Sequence, residues 1–136
     1  MKIDGIVETA IHVADVARSE EFYRRLFAFP KIDGNARFCA FLVPKNALFL
    51  LFQKGGTLEP VQTPGGAIPP HDGSGRMHFA FKISKESLAE CERELAANGI
   101  PIESRVEWPL GGTSLYFRDP DEHLVELITP GCWPVY

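Results

Sequence analysis

The feature that most constrains this chain is an internal duplication. Two segments have the order strand, then amphipathic helix. The first is Val7–Val13 (VETAIHV) followed by Asp15–Phe27. The second is Met77–Ile83 (MHFAFKI) followed by Ser84–Asn98. Asp15 and Ser84 each stand where a helix N-cap is wanted, with a side-chain oxygen for the first orphan N–H groups. Val16, Ser19, Phe22, Tyr23 and Leu26 give one helix an apolar face, and Leu88, Cys91 and Leu95 give the other one. Gly99 sits where a left-handed C-terminal residue is needed.

The second halves repeat as well. RFCAFLVPKNALFLLFQ and TSLYFRDPDEHLVELIT superpose at an offset of 76, which sets Phe41 on Phe117, Pro44 on Pro120, Leu48 on Leu124 and Leu51 on Leu127. Each reads as strand, proline-marked turn, strand. The first strands superpose at an offset of 70, with Glu8 on His78. These offsets lie slightly above half the chain length, so the 136 residues form one α+β domain of two modules. Module one covers about 5–53, a connector 54–75, and module two about 76–130. The connector holds four prolines and six glycines and no periodicity, so it reads as a long loop, either a lid or a linker. Trp108–Gly112 is a shorter turn between two strands of the second copy.

Composition narrows the function classes. Apolar residues make up 45 % of the chain, enough for an ordinary core. The net charge is −4, so there is no basic footprint for nucleic acid. Three widely spaced cysteines, Cys39, Cys91 and Cys132, form neither a disulfide framework nor a CxxC zinc motif. Without a signal-like or membrane-spanning apolar run, the expectation is a cytoplasmic protein with neither nucleic acid nor membrane as partner.

The repeat gives the polar residues a place. In the first strand Glu8, Ala10 and His12 share the face opposite Val7, Thr9, Ile11 and Val13. In the second copy His78, Ala80 and Lys82 share that face. Leu50 and Glu126 are equivalent in the last strands. If the copies pack about a pseudo-two-fold axis, Glu8, Leu50, His78 and Glu126 converge, and three of the four are metal-ligand side chains. One imidazole and two carboxylates make a mixed N/O set of charge −2, suited to Fe, Mn, Zn or Ni, with positions left open for substrate. Read singly, each is an ordinary solvent-facing strand residue.

The segments ETAIHVADVARSEEFYRRLF, RMHFAFKI and SLYFRDPDEHLVELITPG resemble the vicinal oxygen chelate superfamily, which contains glyoxalase I, extradiol dioxygenases, and fosfomycin- and bleomycin-resistance proteins. The likeness spans nearly the whole chain. It implies two βαβββ modules whose cupped mixed sheets enclose a metal, with the helices outside. Carried over by position, the family's ligands fall on Glu8, Leu50, His78 and Glu126. The first is commonly His, and Leu50 removes a ligand that glyoxalase I uses. The His/His/Glu triad of the dioxygenase and fosfomycin enzymes is matched at two of three positions. ITPGCWPVY also lacks the basic tail of the fosfomycin enzymes. The resemblance further implies a homodimer with each site shared between chains, and a Tyr116 hydroxyl that donates to a bound ligand.

Other residues are read around this set. His12 is a general acid/base, a substrate contact, or a histidine held by hydrogen bonds at the rim. Arg118 binds substrate or pairs with Asp119 or Asp121. His71 is a lid residue over the ligand or a solvated loop histidine. His123 reads as surface, Trp108 and Trp133 as core or interface anchors, and Cys39 and Cys91 as small apolar fillers. Two functions follow. One is a metal-dependent dioxygenase, or a lyase or isomerase, acting on a small oxygenated substrate. The other is a metal-free binding or sequestering protein of the bleomycin-resistance type. An interaction module without a small ligand is a third.

Overall fold

The computed structural model describes all residues 1–136 and divides into two units, Met1–Gly75 and Arg76–Tyr136. Unit one runs β1 (Glu8–Val13), α1 (Val16–Phe27), β2 (Lys31–Asn35), β3 (Phe38–Val43) and β4 (Ala47–Gln53), then a small hairpin of β5 (Val61–Thr63) and β6 (Gly66–Ile68). Unit two runs β7 (His78–Lys82), α2 (Leu88–Ala97), β8 (Ser104–Glu107), β9 (Thr113–Arg118) and β10 (Leu124–Ile128). Each unit is therefore one βαβββ module. The sheet orders, β1-β4-β3-β2 and β7-β10-β9-β8, are the same order twice. In both, the strand before the helix lies parallel to the last strand and the other pairs are antiparallel.

The register carries the duplication to single residues. Glu8 pairs with Leu48 and His78 with Leu124. Leu50 lies between Ala10 and Ala40, and Glu126 between Ala80 and Tyr116. The offsets of 70 and 76 read from the sequence are thus those of the two sheets.

α1 opens on Asp15, whose carboxylate accepts from the Arg18 N–H at 3.0 Å. It closes on Ala28 in the left-handed region at φ 52°, and Arg24 and Arg25 in the last turn oppose the helix dipole. The Gln53 amide ties the helix start to β4, donating to the Ala14 carbonyl at 2.6 Å. Tyr23 packs edge-on against Phe49 at 4.9 Å, so α1 covers the Phe41, Phe49 and Leu51 face. The opposite face, with Glu8, Ala10, His12, Leu50 and Phe52, is left to other uses. In unit two Leu95, Leu115, Phe117, Val125 and Leu127 form the core. Their alternation sends His78, Tyr116 and Glu126 to the other face of that sheet.

Four expectations are corrected. α2 starts at Leu88, not at Ser84. Ser84 instead caps a preceding turn, where its carbonyl and hydroxyl accept from the Ser87 N–H. The connector 54–75 is not structureless. Gly55 donates to Asp72, the His71 N–H donates to the Thr57 carbonyl at 2.9 Å, and β5 pairs with β6, so the segment is one long arm. Pro64-Gly65 makes its turn, and three-residue strands are too short to show an alternation. Thr9 is exposed although it lies on the covered face, because β1 becomes buried only from Ile11 onward. Trp133 is 68 % exposed and belongs to no core.

Close approach requires glycine where the chain after β10 meets the β8–β9 turn. A Cβ on Gly112 would stand 2.5 Å from the Cys132 nitrogen, and Gly131, at φ 104°, faces it. The chain after β10 is thereby laid against the β8–β9 turn.

Candidate functional site

In unit two, neighbouring strands bring three of the residues singled out above together. His78 begins β7, where it is paired with Leu124, and its Nδ1 lies 3.1 Å from the Leu124 carbonyl oxygen. A carbonyl only accepts, so Nδ1 carries the proton and Nε2 is left with the lone pair when the ring is neutral. Nε2 faces Glu126 Oε2 at 3.3 Å. Glu126 Oε1 accepts from the Tyr116 hydroxyl at 3.0 Å. Glu126 is buried while the His78 side chain is half exposed, so the pair opens outward from the sheet. Burial first, then the hydrogen bond to Glu126, push the Tyr116 hydroxyl up, so it keeps its proton at neutral pH and acts as a donor.

An imidazole lone pair and a carboxylate oxygen facing each other are both acceptors. They are reconciled by a proton or by a cation held between them. The backbone carbonyl on the far ring nitrogen is the arrangement that orients a metal-ligating histidine. The donor set therefore fits a divalent ion of the Fe, Mn, Zn or Ni kind. Within a single chain no group of three or more His, Cys, Asp or Glu side chains is arranged to hold one.

In unit one, Glu8 is exposed at the start of edge strand β1, and Leu50 is 8 % exposed at the position equivalent to Glu126. His12 is buried, stacked on Phe52 at 5.8 Å, with Nε2 3.7 Å from Asp72 Oδ1. Asp72 also accepts from the Gly55 N–H, and backbone donors at Gly73 and Gly55 hold its carboxyl below the usual range. His71 is not merely solvated. The arm sets its ring edge-on to Phe52 at 4.8 Å and 5.5 Å from His12.

Two readings of polar residues are corrected. Arg118 pairs with Glu103, at 2.6 and 3.1 Å, rather than with Asp119 or Asp121. Asp119 is turned to the backbone, where it accepts from the Asp121 and His123 N–H groups. His123 is buried, not surface, and its Nδ1 accepts from the Met77 N–H at 3.0 Å. The DPDE turn folds His123 back onto the start of β7, a contact 46 residues away that local pattern does not encode. Asp72 and Glu103 had no signal in the sequence beyond their charge.

The strand order, the doubled βαβββ module and the His78–Glu126–Tyr116 group define a class. Residues 5–127 match the family model of the Glyoxalase/Bleomycin resistance protein/Dioxygenase superfamily, and the chain belongs to that family. Among solved structures it is similar to a lactoylglutathione lyase from Agrobacterium tumefaciens, with TM-score 0.86 and 28 % identity over 98 % of each chain. It is also similar to the metallothiol transferase FosB of Bacillus licheniformis, 29 % identical over 132 residues, covering 94 % of this chain and 77 % of FosB. A third relative is the glyoxalase domain-containing protein RDO1 of Mycosarcoma maydis, 28 % identical over 93 % of this chain and 69 % of RDO1.

Proposed function

We propose that this protein is a divalent-metal-dependent enzyme acting on a small oxygenated organic substrate, of dioxygenase or of lyase or isomerase type. The observation that carries the reading is the His78 ring, held through Nδ1 by the Leu124 carbonyl with Nε2 turned to Glu126. His78 and Glu126 are two of the ligands, and Glu8 of a second copy is the third, so each site is shared across a homodimer. The bound metal would supply Lewis acidity or electron relay to substrate oxygens. The chain's own residues do the rest. Tyr116 carries a proton at its hydroxyl and donates it to Glu126 or to a substrate oxygen. His12 serves as general acid/base, its imidazole faced by Asp72. Leu50 gives the site an apolar wall, and Arg118 and His71 contact substrate at its margins. The family membership and the likenesses to a lyase and a metallothiol transferase support an enzyme of this kind.

Metal analysis of protein purified without chelator tests the reading. The expected result is a retained divalent ion, lost in Glu126→Ala. The reading fails if no ion is retained and Glu126→Ala leaves thermal stability and ligand binding unchanged in added Mn, Fe, Zn or Ni. Leu50, an aliphatic chain where the other copy has Glu126, favours a second reading. In it the protein binds a small molecule without metal, with Glu8 and Glu126 as its charge. Ligand binding that survives chelator treatment unchanged would select that reading.

A further inference from the structure

A line of hydrogen bonds runs behind the His78–Glu126 pair. The Trp108 indole Nε1–H donates to the Ser114 hydroxyl oxygen at 2.8 Å. The Ser114 hydroxyl in turn bonds the Tyr116 hydroxyl. Tyr116 donates to Glu126 Oε1 at 3.0 Å, and Glu126 Oε2 faces His78 Nε2 at 3.3 Å. Ser114 and Tyr116 are two residues apart on β9, so they share the face that carries Glu126. Trp108 arrives from the β8–β9 turn, where its N–H donates to the Gly112 carbonyl and its carbonyl accepts from the Gly111 N–H, each at 2.8 Å.

The two ends of the line fix its direction. An indole N–H only donates, and a carboxylate only accepts. Ser114 therefore accepts from Trp108 and gives its one proton to Tyr116, and Tyr116 gives its proton to Glu126. Reversing either hydroxyl would set two donors face to face. Ser114 is fully buried, so water does not replace a bond lost there.

The duplication supplies a comparison within the chain. The positions in unit one equivalent to Ser114, Tyr116 and Glu126 are Phe38, Ala40 and Leu50. That sheet forms with no polar line, so strand pairing does not call for one. The line is present where the carboxylate is present and absent where leucine replaces it.

Resting on the proposal that His78 and Glu126 ligate a metal, we infer that Ser114 and Trp108 are positioning residues of that site. They hold the Tyr116 hydroxyl on Glu126 Oε1, which keeps that oxygen occupied and presents Oε2 to the ion. Hydrogen-bonded partners behind a ligand orient it and raise metal affinity. Bonds in such a line also polarise one another, so a change at one end is felt at the other.

The test uses the full chain labelled with 15N, which has two indole N–H signals, from Trp108 and Trp133. Trp133 is exposed and serves as the internal reference. In chelator-treated protein, Glu126→Gln is expected to shift the Trp108 indole signal and leave that of Trp133 in place. With Tyr116→Phe already present, the same substitution should no longer move it. A Trp108 bond that only braced the turn would not respond to Glu126. Mn(II) is then titrated in, with the free ion followed by its EPR signal. Ser114→Ala is expected to weaken Mn(II) binding roughly tenfold, and Ser114→Thr, which keeps the hydroxyl, to restore it. A Trp108 signal indifferent to Glu126→Gln, a shift that persists through Tyr116→Phe, or equal Mn(II) affinity in Ser114→Ala and wild type overturns the inference while the metal reading stands. If Tyr116→Phe does not fold, Ser114→Ala breaks the same line one bond earlier. Wild type that retains no metal and binds no Mn(II), with the indole coupling intact, sinks the metal reading and leaves Ser114 and Trp108 as positioning residues of the Tyr116 hydroxyl.

Discussion

Burial pushes the Cys39 thiol up to about 12 from an ordinary value of 9.0, with the nearby Glu20 carboxylate adding to the shift. A thiol whose value is raised by folding holds more protons in the folded state than in the unfolded one. Its contribution is complete below about pH 9 and is lost as pH rises from 9 toward 12. Alkaline unfolding followed by circular dichroism should therefore show stability falling across that window, and Cys39→Ala should flatten the fall. An unchanged slope in the variant would remove this account. The sequence marks Cys39 as a small buried filler, and it is fully buried. It does not mark His123, because nothing in DPDEHL states that Met77, 46 residues earlier, will need an acceptor for its N–H. Arg118 is similar. Its neighbours in sequence are acids, yet the fork goes to Glu103, which the β8–β9 pairing brings alongside.

At the scale of elements, α1 was legible at both ends because its signals are local. Asp15 caps it, and the 3–4 spacing of Val16, Ser19 and Tyr23 is the face that becomes buried. α2 was legible in its body but not at its start, where two serines compete. Ser84 holds a turn and Ser87 precedes the helix. The arm 54–75 escaped because its pairing runs between Gly55 and Asp72 and between Thr57 and His71, partners at each end of a proline-rich stretch. The β8–β9 turn depends on a contact that sequence shows only as a Gly-Gly pair. Placing a Cβ at Gly112 would force the Cys132 and Gly131 backbone aside. Gly112→Ala is expected to destabilise the protein by about 1–3 kcal/mol, as overpacking does, read as a lower denaturant midpoint with unchanged m-value. Gly65→Ala, where the nearest atom is a side-chain oxygen at 3.9 Å, serves as the control.

At the scale of the molecule, the proposed sharing of sites between copies makes a prediction that no single chain can. Glu8→Gln and Glu126→Gln should each abolish metal retention. Unfolded together in equal amounts and refolded, they should regain roughly a quarter of the wild-type sites, because half the dimers are mixed and each mixed dimer has one intact site. Metal analysis of the refolded mixture checks this. A mixture as empty as its parents would place Glu8 outside the site or confine the site to one chain. The duplication, the equivalence of Glu8 with His78 and of Leu50 with Glu126, and the face on which each lies were all determined by the sequence alone. Strand alternation and repeat offset are properties of neighbouring residues, and the registers of the two sheets follow them. Only the tertiary structure decided that Leu124 fixes the His78 ring, that Tyr116 donates to Glu126, and that the arm stands His71 against Phe52. Those contacts join residues distant in the chain, and their geometry is set when strands pair, which no local periodicity encodes.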